Sequence, residues 1–199
     1  EAEVRVGGST YYHGLKAGRV IYKDGAVVGS DDPINNHVWR VRRDYATGDL
    51  TSDAANYYGY TNASDVTAEQ IATVKGQYEY DWMYWPAAWG APYNDVDGNG
   101  SYDPAIDVPG YPGADQTLWT IANDVPTIVD ANGDSVGYQS TAPNLYGADP
   151  IGIELQITMW GYAFGAGDPL GNMIFKKATM KYTGLPDSPA DSKMEDLYF

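Results

Sequence analysis

The chain has 199 residues, 43% of them hydrophobic and 14% aromatic, enough to bury one substantial core. Acidic residues outnumber basic ones by 27 to 12, and the resulting net charge of −15 sets the protein against DNA, RNA and anionic lipid and in favour of cations. Cysteine is absent, which excludes disulfides, thiolate catalysis and Cys-based zinc sites, and no apolar run reaches the length of a membrane span. No secretory leader opens the sequence, so a secreted protein is expected here in mature or excised form.

With 18 Tyr and 6 Trp against 3 Phe, the aromatics are amphipathic and suit strand faces. The 23 Gly and 12 Pro demand many turns, so a mainly β protein is expected. In chain order, Val4 and Val6 alternate with polar residues before Gly7-Gly8. Asp24-Gly25 then divides two apolar stretches as a hairpin turn would. "HVWRVRRDY" sets Trp39 and Val41 against Arg40 and Arg42, and Ala46–Ala63 reads as a long polar surface loop. Thr67 and Gln70 form a capping-box pair ahead of Ile71, Val74, Tyr78, Trp82 and Trp85, one face of the single long helix expected. Gly76 weakens that helix and Pro86 stops it.

Beyond the acidic loop come "TLWTIAND" and a hairpin around Asn132-Gly133. "IGIELQITMWGYA" follows, with Ile151, Ile153, Leu155, Ile157 and Met159 read as the inner face and Glu154, Gln156 and Thr158 as the outer. "MIFKKATMKYT" repeats the pattern with Ala178, Met180 and Tyr182 inward, and "MEDLYF" begins a further strand. The pattern predicts an antiparallel β-sandwich with one packed α-helix, a single domain over 1–199 with a loop-helix insertion at 45–86 and an acidic loop at 92–113.

That loop, "DVDGNGSYDPAID" from Asp95 to Asp107, sets four aspartates and an asparagine on a near two-residue beat. Calcium takes six to eight oxygens on a backbone that can turn tightly around it. With Asp95 as position 1, Asp97 and Asn99 take positions 3 and 5 and Gly100 the sharp turn. Ser101 would offer its carbonyl, Asp103 stands at position 9, and Asp107 lies one place past the usual acidic residue. Prolines at 104, 109 and 112 forbid flanking helices, so this is no EF-hand but a calcium loop carried between strands. An Asx/Gly surface turn is the bland alternative, against which stands the mutual repulsion of four carboxylates. No His or Cys lies near enough to favour a transition metal.

At this point the chain resembles a segment of large secreted surface proteins exported by type IX secretion. The likeness rests on "WPAAWGAPYNDVDGNGSYDPAIDVPGYPGADQTLW", "PIGIELQITMWGYAF", "LGNMIFKKATMKY" and "MEDLYF", with the opening "VRVGGSTYYHGLKAG" alongside. It covers about two-thirds of the chain and is poor over Ala46–Tyr80. It implies secretion and a calcium-bearing β module, and supplies no activity. In such proteins the strand at "MEDLYF" runs on into further domains.

Catalytic residues are not expected. His13 and His37 have no nucleophile motif for company, and Glu79 with Asp81, the only paired carboxylates worth weighing for a glycosidase, are read as solvent-facing. Trp82, Tyr84, Trp85, Trp89 and Tyr93 are read as core packing over sugar stacking. "DSV" at Asp134–Val136 resembles a short O-glycosylation signal.

The reading is a secreted structural or adhesive module, calcium-stabilised, that assembles with other chains or further domains at a cell surface or in an extracellular filament. The sheet edge near Leu197–Phe199 is expected to meet further protein. A carbohydrate-binding module, favoured if Trp89 or Trp160 lined a shallow groove, and a non-catalytic part of a secreted hydrolase are the alternatives.

Overall fold

The computed structural model describes residues 15–23, 26–29, 33–125, 127–129, 131, 135–138, 151–164, 167–185, 188–189 and 191–195. His13, the two expected hairpin turns, Asp134 and the edge near Leu197–Phe199 lie outside the described residues. The strands are β1 (Lys16–Ala17), β2 (Val20–Lys23), β3 (Ala26–Gly29), β4 (Trp39–Arg42), β5 (Tyr93–Asn94), β6 (Val108–Pro109), β7 (Gln116–Asn123), β8 (Thr127–Val129), β9 (Ser135–Tyr138), β10 (Ile153–Gly161) and β11 (Ile174–Tyr182). Two helices, α1 (Thr51–Tyr58) and α2 (Ala68–Met83), join them. The protein is mainly β with antiparallel pairing: a five-stranded sheet runs β1-β7-β10-β11, with β4 also on β7, beside two-stranded pairs β2-β3, β5-β6 and β8-β9. No helix among the described residues is long and apolar enough to cross a membrane.

The backbone divides into two compact units. One comprises residues 38–119 and 158–177. There Trp39 pairs with Trp119 and Val41 with Thr117, and all four side chains are buried, while Arg40 and Arg42 on the alternate positions are half-buried. Leu50, Ala54, Val74 and Tyr78 form a second core between the helices. The capping box forms in both directions: Gln70 N donates to Thr67 Oγ1 and Thr67 N to Gln70 Oε1. α2 packs against β4, where Asp81 Oδ2 accepts from Arg40 N at 2.8 Å. Asp81 is therefore 1% exposed and satisfies the strand's backbone, contrary to the solvent-facing position expected from its spacing.

Helix α1 also departs from expectation, since it lies within Ala46–Ala63, a stretch whose composition reads as loop. Its buried face consists of Ala54 and Ala55, with Leu50 one turn earlier, and Gly59 ends it at φ +73°. Alanine carries almost no signal in an apolar periodicity, and the Asn, Asp and Tyr around it read as loop. Asp53 on this helix accepts from Arg42 and from the Tyr78 hydroxyl, which ties α1 to both β4 and α2.

The other unit comprises residues 1–37, 120–157 and 178–199. The β2-β3 and β8-β9 hairpins lie in contact, and Val20, Val125 and Leu185 cluster beneath β2. Asp124, 1% exposed, accepts backbone bonds from Ile151, Gly152 and Ile153. Gly152, at φ +78°, returns its carbonyl to the amides of Thr183 and Gly184. A Cβ there would collide with the Gly184 backbone, so glycine is required twice over.

Along β10 the alternation is real but its sense is inverted. Glu154 and Thr158, assigned outward on polarity, are the buried residues, whereas Ile153, Leu155, Ile157 and Met159 are half-exposed. Glu154 is buried because its Oε1 accepts from Val20 N at 2.8 Å, with Arg19 Nε 3.9 Å away. A hydrogen-bonded carboxylate thus overrides the side-chain polarity that a pattern reads.

Candidate metal site

Residues 95–107 form a loop closed at its neck by the two-residue β5-β6 ladder, Tyr93 opposite Pro109 and Asn94 opposite Val108. The aromatic cluster fastens that neck. Trp85 Nε1 donates to Pro92 O at 2.8 Å, Trp82 Nε1 to Pro104 O at 3.2 Å, and Tyr102 Oη to Trp82 O. Trp85 is buried and Trp82 half-buried, so these two rings clamp the loop onto the end of α2, whereas Tyr84, read with them as packing, is 58% exposed.

Inside the loop the backbone wraps around carboxylates. Asp95 accepts from the amides of Gly98, Asn99 and Gly100, and Gly98 and Gly100 both adopt positive φ to aim them. These bonds, Gly100's the strongest, hold the Asp95 carboxyl below the usual carboxylate range. Asp107, 2% exposed, accepts from Val96 N and Asp103 N at 2.8 Å each. Asp97 accepts from Asn99 through both its amide and its side chain.

One oxygen from each of Asp95, Asp97 and Asp107 falls within 4.8 Å of the others. Two oxygens bound to one calcium ion at about 2.3–2.6 Å can be no more than about 5 Å apart, so this grouping is compatible with a shared ion. The cluster can hold a metal ion. Of the remaining expected ligands, Asp103 stands outside this grouping: its side chain accepts from Ala105 N, and its carbonyl from Ile106 and Asp107. Asn99 Oδ1 accepts from Ser101 N, and Ser101 is exposed at the loop tip.

The electrostatic effect of the cluster reaches Tyr93. Its phenol is pushed up, by desolvation first and then by the charges of Asp95, Asp107 and Asp97. Tyr93 stands in edge contact with Tyr102, ring centroids 5.5 Å apart. Tyr102 is raised too, chiefly by burial and next by Asp107. Sequence reading placed Tyr93 among the packing aromatics, and only its position just ahead of Asp95 pointed to the loop.

No family model, curated protein or solved structure matches the chain. Of the residues weighed for catalysis, His13 lies outside the described residues. Glu79 is exposed on α2 while Asp81 is buried against β4, and His37 precedes β4 as a half-buried residue.

Proposed function

We propose that the chain is a secreted β-sandwich module, structural or adhesive, that is stabilised by calcium and acts through assembly with other chains or domains at a cell surface or in an extracellular filament. The observation that carries this reading is the convergence of the Asp95, Asp97 and Asp107 oxygens inside a loop already closed by strand pairing and tryptophan clamps. Neutral backbone donors satisfy lone pairs but leave the formal charge in place, so three converging carboxylates favour a cation. The hardness of an all-oxygen donor set selects calcium, and a loop of this openness accommodates its larger shell better than the strict octahedron of magnesium. Asn99 and the Ser101 carbonyl complete the shell in this proposal, and Asp103, whose side chain is turned to Ala105 N, acts through a water.

The glycan-binding alternative is favoured by Trp160 lining a cleft and opposed by its stacking on Tyr111, 3.8 Å away at 6°, which covers one face that a sugar would use.

Calcium at a hundredfold excess over Kd is expected to stabilise the fold by about 2.7 kcal/mol, and Asp97→Ala to remove most of that increment. Thermal melts in calcium and in chelator measure it, and identical melting temperatures would contradict the proposal. A module of this kind shows no hydrolysis of peptides, esters or polysaccharides. Turnover that disappears on changing His13, His37 or Glu79 would overturn the non-catalytic reading.

A further inference from the structure

A cleft of about 580 Å³ opens between the ends of β4 and β7 on one side and of β10 and β11 on the other, all within the unit formed by residues 38–119 and 158–177. Its volume is that of a site for a ligand of several residues or a small organic molecule. Its lining includes the apolar side chains of Met159, Met173 and Ile174, and Ile174 is 75% exposed. The same lining carries three carboxylates and one guanidinium.

Those charges are unequally committed. Asp44 binds Arg42 through both oxygens, at 2.6 and 3.1 Å, and Asp53 meets Arg42 at 2.5 Å while its other oxygen accepts from Tyr78. Arg42 is thereby more than neutralised, and the ion pairs hold its pKa up and that of Asp44 down. Asp115 remains. Its amide donates to Gly161 O, its carbonyl accepts from Arg43 N, and its Oδ2 accepts from Ala163 N. Three bonds from three directions fix this residue, and Oδ1 has no hydrogen-bond partner among the described residues. A rigid acceptor needs no reordering on binding, which is where much of the cost of association otherwise falls.

We infer that this cleft receives a lysine side chain of another polypeptide, its ammonium on Asp115 Oδ1 and its apolar neighbours against Met159, Met173 and Ile174. Charge complementarity selects the cation, since the lining has an excess of carboxylates in a chain of net charge −15. The open, exposed flank at Ile174 selects a partner chain over an enclosed small molecule. The inference names the partner chemistry for the assembly reading, on which it rests for the ligand being a polypeptide; it does not depend on calcium.

The test labels methionine methyl groups with carbon-13 and titrates the protein with acetyl-Leu-Lys-Leu-amide and its Gln and Glu counterparts. Met159 and Met173 are expected to shift while Met83 and Met180 do not. The lysine peptide is expected to bind about fivefold more tightly than the glutamine peptide, as for a partly exposed ion pair, and the glutamate peptide more weakly still. Asp115→Asn keeps an acceptor for Ala163 N, so its free spectrum stays that of the wild type while the lysine preference disappears. Ile174→Ser weakens all three peptides together. Absence of shifts at millimolar peptide, equal binding of the lysine and glutamate forms, or a lysine preference that survives Asp115→Asn would overturn the inference. A protein that remains monomeric in light scattering yet binds the lysine peptide would contradict the assembly reading alone.

Discussion

Two turns in this protein are organised by aspartate, and they solve opposite problems. At Asp124 a single buried carboxylate collects three amides, from Ile151, Gly152 and Ile153, and it belongs to no cluster of three acidic groups among the described residues. In the loop from Asp95 to Asp107 the carboxylates also collect amides, yet three of them converge within 4.8 Å. Backbone donors suffice to shape either turn. Only the second accumulates like charge that neutral donors cannot cancel, and that excess distinguishes a carboxylate that shapes a turn from a cluster that can hold an ion.

The sharpest way to break the comparison is to remove the carboxylate that works alone. Asp124→Ala leaves three amides without their acceptor, and a loss on the order of 3 kcal/mol is expected in urea unfolding, equal in calcium and in chelator. A calcium-dependent loss would mean that the two turns are not separate devices. Next come the glycines. Gly152→Ala meets both positive φ and the Gly184 backbone, so about 2 kcal/mol is expected. Gly98→Ala has positive φ but open space, so about 1 kcal/mol is expected from conformation alone. If the two cost the same, close approach at Gly152 is not what fixes that turn.

The smallest effect is electrostatic. Because the folded pKa of Tyr93 lies above the ordinary value of 10.0, its contribution to stability is complete below pH 10 and is lost as pH rises through the raised value. Calcium in the loop offsets the carboxylate charges that share in that rise, so alkaline absorbance titration is expected to show Tyr93 ionising at lower pH with calcium than with chelator. A Tyr93 titration that ignores calcium would separate the phenol from the site.

Much of this was legible in advance where a local rule has one outcome. The Thr67–Gln70 pair predicts the start of α2, the alternation around Trp39 predicts which residues of β4 are buried, and the Asp–Gly spacing locates the loop. What could not be read is whatever depends on a distant partner. Glu154 is inward only because Val20, 134 residues away in sequence, supplies an amide. Asp81 is buried because β4 presents Arg40 N to it, and Asp124 gives no signal at all until the backbone around Gly152 returns beside it. Helix α1 was obscured for a different reason, since its core face is alanine. The loop itself shows both limits: Asp95, Asp97 and Asp107 converge, while Asp103, equally regular in spacing, turns its side chain to Ala105 N.

The central claim is that the converged carboxylates hold calcium, and calorimetric titration of the metal-free protein addresses it most directly. The account predicts saturable binding of one calcium ion per chain, poorly displaced by magnesium, abolished by Asp97→Ala and retained in Gly152→Ala. Absence of binding heat in the wild type, or wild-type binding by Asp97→Ala, would contradict it.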